Sequence, residues 1–394
     1  MPLTQEAQLE SLPKAYAVIK DMRHRGSWGE DLNAAMRDAV ARVLRDRMDR
    51  DIDRYLSELA SRDAEDRRNG SYERHVLTGL GDIAVAVPRT RAYSAKGVLG
   101  AYARRAPDVD RSILSCFVYG CSTRKVGKTL LPMLGERVSA GSVSRVAKTL
   151  DAAVAAFHAR PLRDRYHALL LDGVVLARKT GAGALRRPVL VALGLLPDGR
   201  KEVIDYCLAV SESQVEWERF LSDLVRRGFT GAGLKLIVSD GGAGLTAALP
   251  VVLPGVPHQR CWAHKTRNLT DKVRQADRDK VKRGVQVIYL AANQVKARQA
   301  AQRFAKKWQR RYPRAVECLR RDLDELLTFL AVFRDADWRR WVRTTNAIER
   351  RFVEVRRRCR PMGVFSDRTS MDRILYAVFT HENQQQGIAT LVVV

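Results

Sequence analysis

Three runs of aliphatic residues in the middle of the chain constrain its fold more than any other feature. Residues 168–177 read ALLLDGVVLA, residues 187–196 read RPVLVALGLL, and residues 201–210 read KEVIDYCLAV. Each run has the length and residue types of a buried strand. The turn residues Pro-Asp-Gly-Arg at 197–200 separate the second run from the third, so the pattern predicts an antiparallel meander.

After this meander the sequence alternates between helical and strand patterns. Residues 213–228 have the apolar spacing of a helix, and residues 234–240, LKLIVSD, have the character of a fourth strand. A short helix around Leu245 to Leu253 follows, and a fifth strand candidate leads to Cys261. This order predicts an α/β fold, in which a mixed sheet carries helices on its faces.

The region before the sheet divides into two parts. Residues 31–60 place apolar residues at helical spacing among charges, which predicts a long amphipathic helix. In residues 74–91 two alternating runs flank a Gly-Leu-Gly-Asp turn, and Pro88 is expected to end the second run. We therefore expect residues 1–110 to form a mainly helical N-terminal region with a small β-hairpin.

Residues 111–160 show the pattern helix, turn, helix, turn, helix, with Gly120 and Gly135 at the breaks. Ser139 is a suitable N-cap for the last helix. Arg145 and Lys148 follow early in that helix, as in a recognition helix that enters a DNA groove. The region is predicted to be a helix-turn-helix-like DNA-binding region, although a three-helix packing unit with a solvated basic face fits the pattern equally well.

The rest of the chain is expected to interrupt the sheet domain and then complete it. Residues 161–264 form the first part of the predicted core, and residues 265–341, which are basic and almost wholly helical, form an all-helical insertion. Residues 342–394 return to the core with C-terminal helices. The first of these helices contains TTNAIERRFVEVRRRCR, with Thr344 or Thr345 as its cap.

The charge of the chain indicates its partner. There are 70 Lys and Arg residues against 44 Asp and Glu residues, a net charge of +26 that is spread over both halves. Such a chain is expected to bind a polyanion, and DNA is the first candidate, although an RNA-binding protein could carry the same charge. The six cysteines are scattered, and the apolar runs are too short to span a bilayer, which predicts a cytoplasmic protein without a membrane segment.

Three carboxylates fall at positions where α/β proteins build sites. Asp172 lies in the middle of the first strand, and Asp240 ends the fourth strand just before two glycines. Glu349 lies at the edge of the apolar stripe of the helix that begins near Thr345. Together they would offer oxygen ligands without sulfur, which suits Mg²⁺ or Mn²⁺.

Each carboxylate also has a structural interpretation. Asp172 could pair with an arginine, Asp240 could cap the following helix, and Glu349 could pair with an arginine one turn away. For any single residue the structural interpretation is favoured. The three acids together, in this order of elements and in so basic a chain, favour a catalytic metal site.

Four blocks of the sequence resemble Mutator-type transposases of bacterial insertion sequences. They read LLLDGVVLARK, LIVSDGGAGL, RCWAHK and TTNAIERRF. The resemblance implies an RNase H-like catalytic core, an all-helical insertion before the last acid, and an Asp-Asp-Glu metal triad. Carried to this chain, the triad is Asp172, Asp240 and Glu349.

The function that the resemblance implies is DNA transposition. We expect cleavage at the ends of an insertion sequence and joining of the 3′-hydroxyl ends to target DNA, with two Mg²⁺ or Mn²⁺ ions per active site. The expected partners are the terminal inverted repeats, target DNA and further copies of the chain, as a homodimer or higher homo-oligomer on DNA near the bacterial nucleoid. The alternatives are an RNase H-like nuclease or junction resolvase, and a non-catalytic DNA-binding regulator.

Cys261 and His264 have the spacing of half a zinc site, but the sequence offers no second pair. The resemblance places this pair beside the catalytic sheet, where His264 would face the scissile phosphate and act in catalysis. Cys261 is then expected to be a small buried residue. The other basic residues that we expect to contact the DNA backbone are Lys265, Arg267, Arg350, Arg351 and Arg356.

Overall fold

The computed structural model describes part of the chain in two compact units. The described ranges are 28–99, 105–134, 138–180, 183–362 and 368–388. Within them, the first unit comprises the residues up to Phe117 together with Thr123–Val146, and the second comprises Val118–Ser122 and the residues from Ala147 onward.

A long helix and a hairpin form the base of the first unit. The elements are α1 (Trp28–Ala60), β1 (Arg68–Thr78), β2 (Gly81–Thr90) and a short 3-10 helix (Ala95–Leu99). Met48 and Ile52 of α1 pack with alternate residues of one face of β2. These β2 residues are Ile83, Val85 and Val87. The predicted helix and the predicted hairpin are therefore both confirmed.

The hairpin differs from the prediction at Pro88. Thr78 pairs with Gly81, so two residues make the turn, and the φ angle of Gly81 is 103°. Pro88 does not end the second strand: it pairs with Ser71, and β2 continues to Thr90. A proline is tolerated here because in a two-stranded sheet both strands are edges, where a missing N–H group costs little.

Four helices follow the hairpin. They are α2 (Pro107–Val118), α3 (Thr123–Leu134), α4 (Ala140–Ala147) and α5 (Leu150–Ala159). Gly120 lies in the turn after α2 with φ 102°, whereas Gly135 lies outside the described residues. The predicted cap is confirmed, because the backbone N–H of Ser142 donates to Ser139 Oγ at 3.1 Å.

The single helix predicted after Ser139 is wrong. A tight turn, closed by a hydrogen bond from the N–H of Asp151 to the carbonyl oxygen of Lys148, separates α4 from α5. The physical reason is that the two halves bury their apolar residues in different units. Val143 of α4 belongs to the first unit, and Phe157 of α5 belongs to the second.

The second unit is built on a five-stranded mixed sheet. Its elements are β3 (Ala168–Thr180), β4 (Gly183–Leu195), β5 (Lys201–Leu208), α6 (Gln214–Arg226), β6 (Leu236–Ser239), α7 (Ala243–Val252) and β7 (His258–Arg260). The strand order is β5-β4-β3-β6-β7. The first three strands form the predicted antiparallel meander, and β6 and β7 add in parallel. The predicted order of strands and helices is confirmed.

Helices cover both faces of this sheet. Leu169 and Leu171 of β3 belong to one core cluster with residues of α6 and α7, such as Trp217 and Leu245. The last two described helices, α15 (Asn346–Met362) and α16 (Arg368–Gln385), pack against β3 and β5 respectively. Burial on both faces explains why the strands read as nearly continuous aliphatic runs.

The region between β7 and α15 is helical, as predicted. It contains α8 (Trp262–Thr270), a 3-10 turn (Gln275–Asp277), α9 (Arg278–Tyr289), α10 (Gln294–Trp308), α11 (Pro313–Arg321), α12 (Leu323–Leu326), α13 (Thr328–Val332) and α14 (Ala336–Val342). The Gln259 side chain of β7 joins it to the sheet by donating to the carbonyl oxygen of Leu326 and accepting from the N–H of Phe329, each at 2.9 Å. Across the described part of the chain, no helix combines the length and hydrophobicity needed to cross a bilayer.

Candidate active site

Asp172 occupies the centre of the sheet, and only 4% of the residue is exposed. In β3 it pairs with Val191 of β4. On the other side, the parallel register of β3 and β6 pairs Leu170 with Val238. Two residues further along each strand come Asp172 and Asp240, so the register brings the two predicted acids to the same level of the sheet.

Two helix starts bring further side chains to Asp172. His264 lies in the first turn of α8, and Glu349 lies in the first turn of α15. One potential ligand atom from each of Asp172, His264 and Glu349 lies within 4.8 Å of the other two. Nε2 of His264 is 3.5 Å from Oε1 of Glu349. The structure thus brings together three of the four predicted catalytic residues.

The carboxylate of Asp172 is not satisfied by the protein. Its Oδ2 atom is buried and has no hydrogen-bond partner within the described residues. Burial above all, with smaller contributions from the charges of Asp240 and Glu349, raises the pKa of Asp172 to about 7 against the lowering effects of His264 and of a hydrogen bond from Thr345. An ionised carboxylate in this position requires a compensating positive charge.

His264 and Cys261 form a pair next to the acids. Interaction with the Cys261 sulfur, more than any other cause, raises the pKa of His264 to about 9, against the effect of burial. Nδ1 of His264 is buried and has no hydrogen-bond partner among the described residues. Cys261, 1% exposed, lies directly after β7 and accepts from the N–H of Thr345 at 3.3 Å. It therefore contributes to the position of the start of α15, which carries Glu349.

Asp240 lies next to this group but not within it. Its Oδ1 atom accepts a hydrogen bond of 2.8 Å from the N–H of Gly242, and Gly241 between them has a φ angle of 79°. Asp240 therefore shapes the turn that precedes α7, whose own N-cap is Gly242. The charge of Asp240 nevertheless acts on both Asp172 and His264.

A network of side chains supports the turn of Asp240, and the sequence interpretation missed it. Ser239 Oγ lies 2.7 Å from Nε2 of His258, and Nδ1 of His258 lies 3.3 Å from Glu325 of α12. Arg260 donates to Glu325 at 2.7 Å and to the carbonyl oxygen of Gly241 at 3.2 Å. The signal in the sequence is the alternation of His258 and Arg260, which both belong to β7.

The acids open into a cleft of about 520 Å³ with a basic rim. Besides Asp172, His264 and Glu349, the cleft is lined by Arg267, Arg350 and Arg356, with Asn346 and the residues Gly173, Val174, Val175 and Val353. Arg267 lies 3.7 Å from Oε1 of Glu349 and keeps 58% of its side chain exposed. Three of the predicted DNA-contacting arginines therefore surround the acidic group.

Two other residues that were predicted to contact DNA are buried in the structure. Lys265, only 4% exposed, is buried in the helical region, where it forms an ion pair with Asp322 and donates to the carbonyl oxygen of Cys318 at 3.3 Å. Arg351, 7% exposed, donates to the carbonyl oxygens of Ala347 and Lys201. Both side chains satisfy buried groups of the protein and are not available to a phosphate.

Arg145 and Lys148 lie in and just after α4. Both are exposed, and Arg145 donates to Ser142 Oγ at 3.2 Å. The split between α4 and α5 leaves these residues on a short helix of 8 residues and the turn that follows it. Their exposure leaves both side chains accessible to a polyanion.

The donor set fits a hard divalent cation. Carboxylate oxygens of Asp172 and Glu349 converge with an imidazole nitrogen, and the buried Oδ2 of Asp172 lacks any partner among the described residues. Cys261 is not a member of this group. The two carboxylates are the part of this set that suits magnesium or manganese, and a group of three donors without a thiolate does not make a structural zinc site.

Comparison with known proteins relates the chain to a family. A family model described as "Transposase, Mutator family" matches residues 9–387. The chain is 29% identical over 363 residues to the transposase for insertion sequence element IS905 of Lactococcus lactis, covering 91% of each chain. It is 33% identical over 319 residues to the transposase for IS406 of Burkholderia multivorans, covering 79% of this chain and 80% of that one. It is 29% identical over 318 residues, 80% of each chain, to the transposase for IS256 in transposon Tn4001 of Staphylococcus aureus.

Proposed function

The chain belongs to the Mutator family of transposases, and we propose that it cleaves DNA at the ends of an insertion sequence and joins the freed 3′-hydroxyl ends to target DNA. One observation carries this proposal. The buried carboxylate of Asp172, whose Oδ2 atom has no partner among the described residues, meets His264 and Glu349 at the floor of a cleft whose rim is basic. A cation site beneath a phosphate-binding rim is suited to phosphoryl transfer.

We assign the sheet and its helices to the RNase H-like class. Support comes from the antiparallel meander β3-β4-β5, which is extended beyond β3 by the parallel strands β6 and β7. In this assignment residues 161–264 and the chain from residue 342 onward form one catalytic core. The helices α9 to α14 then belong to the insertion between the second and third acids.

Asp172, Asp240 and Glu349 would hold the divalent cations in this proposal. Bound there, two Mg²⁺ or Mn²⁺ ions would stabilise the negative charge on the attacking and leaving oxygens of the phosphodiester. The inward position of Asp172 keeps water away from its carboxylate. The turn through Gly241 and Gly242 leaves Asp240 partly exposed beside it.

The remaining cleft residues would position DNA. Arg267, Arg350 and Arg356 can each bind phosphate oxygens, because their guanidinium groups offer several donors on the rim. Nε2 of His264, close to Glu349, can donate a hydrogen bond to the reacting phosphate. Arg145 and Lys148 would contribute to binding of the terminal inverted repeats. We further propose that two or more copies of the chain act together on DNA.

The test is a strand cleavage and joining reaction with purified full-length protein. Duplexes that carry the element's ends, identified as matching inverted repeats in the DNA flanking the gene, are incubated with target plasmid and Mg²⁺. We expect cleavage at the ends and joined products, both lost in Asp172→Asn and retained in Asp198→Asn, which alters an exposed aspartate of the β4–β5 turn.

Each of the two other outcomes would indicate a different function. Cleavage without any joined product would indicate a nuclease or junction resolvase. Specific binding of the ends without cleavage under any divalent cation would indicate a DNA-binding regulator and would remove the catalytic role from the three acids.

A further inference from the structure

A fourth carboxylate lies against the strand that carries Asp172. Glu212 belongs to the connection between β5 and α6, and its carboxylate occupies the space above Gly173, the residue directly after Asp172. A Cβ atom at Gly173 would lie 2.6 Å from Cδ of Glu212 and within 2.9 Å of both of its carboxylate oxygens. Gly173 itself lines the cleft. Any larger residue at position 173 would therefore displace Glu212.

The backbone of the same residue is fixed by a second glycine. A Cβ atom at Gly244, which lies four residues after Asp240, would collide with the carbonyl oxygen of Glu212 and with the backbone of Ser213. Glu212 is therefore held between the residues that follow the two aspartates. Neither glycine has a positive φ angle, so close approach of Glu212, rather than backbone strain, accounts for both.

The side chain of Glu212 is exposed, and its carboxylate is paired with none of the described residues. Among the described residues, none forms a hydrogen bond or an ion pair with it, although the chain as a whole is rich in arginine. Partial burial raises its pKa, and the charge of Asp240 raises it further while that of His264 lowers it. Its neighbours are thus the residues of the active site.

Beside the solvent-exposed Glu212 lies a buried polar atom that has no hydrogen-bond partner among the described residues. Oδ2 of Asp172, in a residue that is only 4% exposed, is buried without a partner one residue away from the glycine that admits Glu212. The Asp172 carboxylate on β3 and the Glu212 carboxylate above Gly173 would repel each other when ionised unless a cation lay close to both. Oxygen ligands beyond three also suit Mg²⁺, which takes six oxygen donors.

We propose that Glu212 is a further carboxylate of the metal site, and that together with Asp240 it binds one of the two divalent cations. This inference rests on the proposed function, because it assumes the cation site of Asp172, Asp240 and Glu349. It adds a residue that precedes α6 and gives Gly173 and Gly244 a functional reason. The sequence hides this role, because Glu212 lies in a polar connection without any periodic pattern.

Binding of Mn²⁺ to the full-length protein tests the inference without reference to activity. Free Mn²⁺ is measured by electron paramagnetic resonance during titration of the wild type, Glu212→Gln and the matched control Glu218→Gln, which alters a partly exposed glutamate of α6. We expect Glu212→Gln to weaken the binding of one Mn²⁺ ion at least tenfold, and Glu218→Gln to bind as the wild type does.

The glycine provides an independent variant. Gly173→Ala should displace the Glu212 carboxylate and weaken the same Mn²⁺ ion by a similar factor. The double variant should bind no more weakly than either single variant, because both changes remove one interaction. Thermal unfolding of each apo variant verifies that it is folded, and Glu212→Gln remains informative if Gly173→Ala does not fold.

Asp172→Asn is titrated in parallel, because it distinguishes a failure of the Glu212 inference from a failure of the proposed metal site. If Asp172→Asn abolishes Mn²⁺ binding while Glu212→Gln binds as the wild type does, Glu212 is not a ligand and the inference is overturned while the proposed site stands. If Asp172→Asn also leaves binding unchanged, the proposed metal site fails, and the inference fails with it. Additive losses in the double variant would overturn the role assigned to Gly173.

Discussion

Asp172 and Asp205 are both buried aspartates in strands of the same sheet, yet the protein treats them in opposite ways. Asp205, 2% exposed, accepts hydrogen bonds of 2.7 Å from Nδ1 of His158 and from the N–H of Tyr206, and it forms an ion pair with Arg227. Asp172, 4% exposed, keeps one oxygen without a partner. A buried carboxylate that the protein satisfies serves the fold, whereas one that it leaves unsatisfied is available to a ligand.

Each aspartate also has a histidine beside it, and the two histidines repeat the contrast. Burial opposes protonation of His158, but its hydrogen bond to Asp205 and the carboxylate of Asp372, 3.6 Å from Nε2, raise its pKa to about 9. His264 reaches a pKa of about 9 mainly through Cys261, and it lines an open cleft. His158 belongs to a buried cluster of ion pairs with Asp205 and Arg227, whereas His264 lies in a cleft that opens to the surface.

The largest expected effect is the loss of catalysis in Asp172→Asn. We expect cleavage and joining to fall at least about 1,000-fold, because in the proposed site the variant loses a charged ligand of the cations. Asp240→Asn and Glu349→Gln should behave alike. The apo protein with Asp172→Asn should unfold at the same temperature as the wild type or higher, since an uncompensated buried charge is removed. A clear loss of stability in this variant would show that Asp172 is a structural residue like Asp205.

Asp205→Asn should show the reverse behaviour. The substitution leaves Arg227 and His158 charged in a buried setting, so we expect a loss of about 3 kcal/mol in the free energy of unfolding. Cleavage by the folded fraction should remain within a few-fold of the wild type. Urea denaturation and a cleavage assay at low temperature measure the two quantities. If cleavage fell as far as in Asp172→Asn, the division between the two aspartates would not hold.

The two aspartates also show which parts of the fold and of the site can be predicted from the sequence. Local sequence patterns predict the meander and the alternating order of α6, β6, α7 and β7, and the structure agrees with both. They also predict the positions of the acids on these elements. Asp205 lies in an aliphatic strand just as Asp172 does, so the local sequence gives no reason to treat the two residues differently. Only the fold brings His158 and Arg227, which are 47 and 22 positions away from Asp205 in the chain, to its carboxylate.

The basic residues show the same limit. Lys265 and Arg267 differ by two positions on α8, yet Lys265 is buried against Asp322 and Arg267 lines the cleft. Arg350 and Arg351 are adjacent, and one is exposed while the other donates to the carbonyl oxygen of Lys201. Which face of a helix is covered depends on partners that lie far away in the chain, and a charged residue gives no local sign of such a partner.

His264→Ala sharpens the contrast between the two histidines. We expect a loss of about 100-fold in the rate of cleavage, because the variant removes a donor from the cleft, with little change in thermal stability. Cys261→Ser should cost less than about tenfold, since serine can still accept from the N–H of Thr345. Single-turnover cleavage of an end duplex measures both variants. A larger loss in Cys261→Ser than in His264→Ala would assign the main role in this pair to the sulfur.

The smallest expected effect is a pH dependence of stability that arises from His158. Its pKa is raised from the ordinary 6.5 to about 9 in the folded protein, so its contribution is complete below pH 6.5 and is lost as the pH rises through 9. We therefore expect His158→Gln to lower the free energy of unfolding by about 2 kcal/mol at pH 6, and by much less at pH 10. His381→Gln, which removes a histidine outside the Asp205 cluster, is the control and should show no such convergence with the wild type. Urea denaturation at several pH values measures the difference. A constant difference in the free energy of unfolding between His158→Gln and the wild type from pH 6 to pH 10 would contradict this prediction. It would mean that His158 stabilises the protein by packing against Phe157 and Tyr206 rather than by its charge. The ion pair between Asp205 and Arg227 would then not depend on His158.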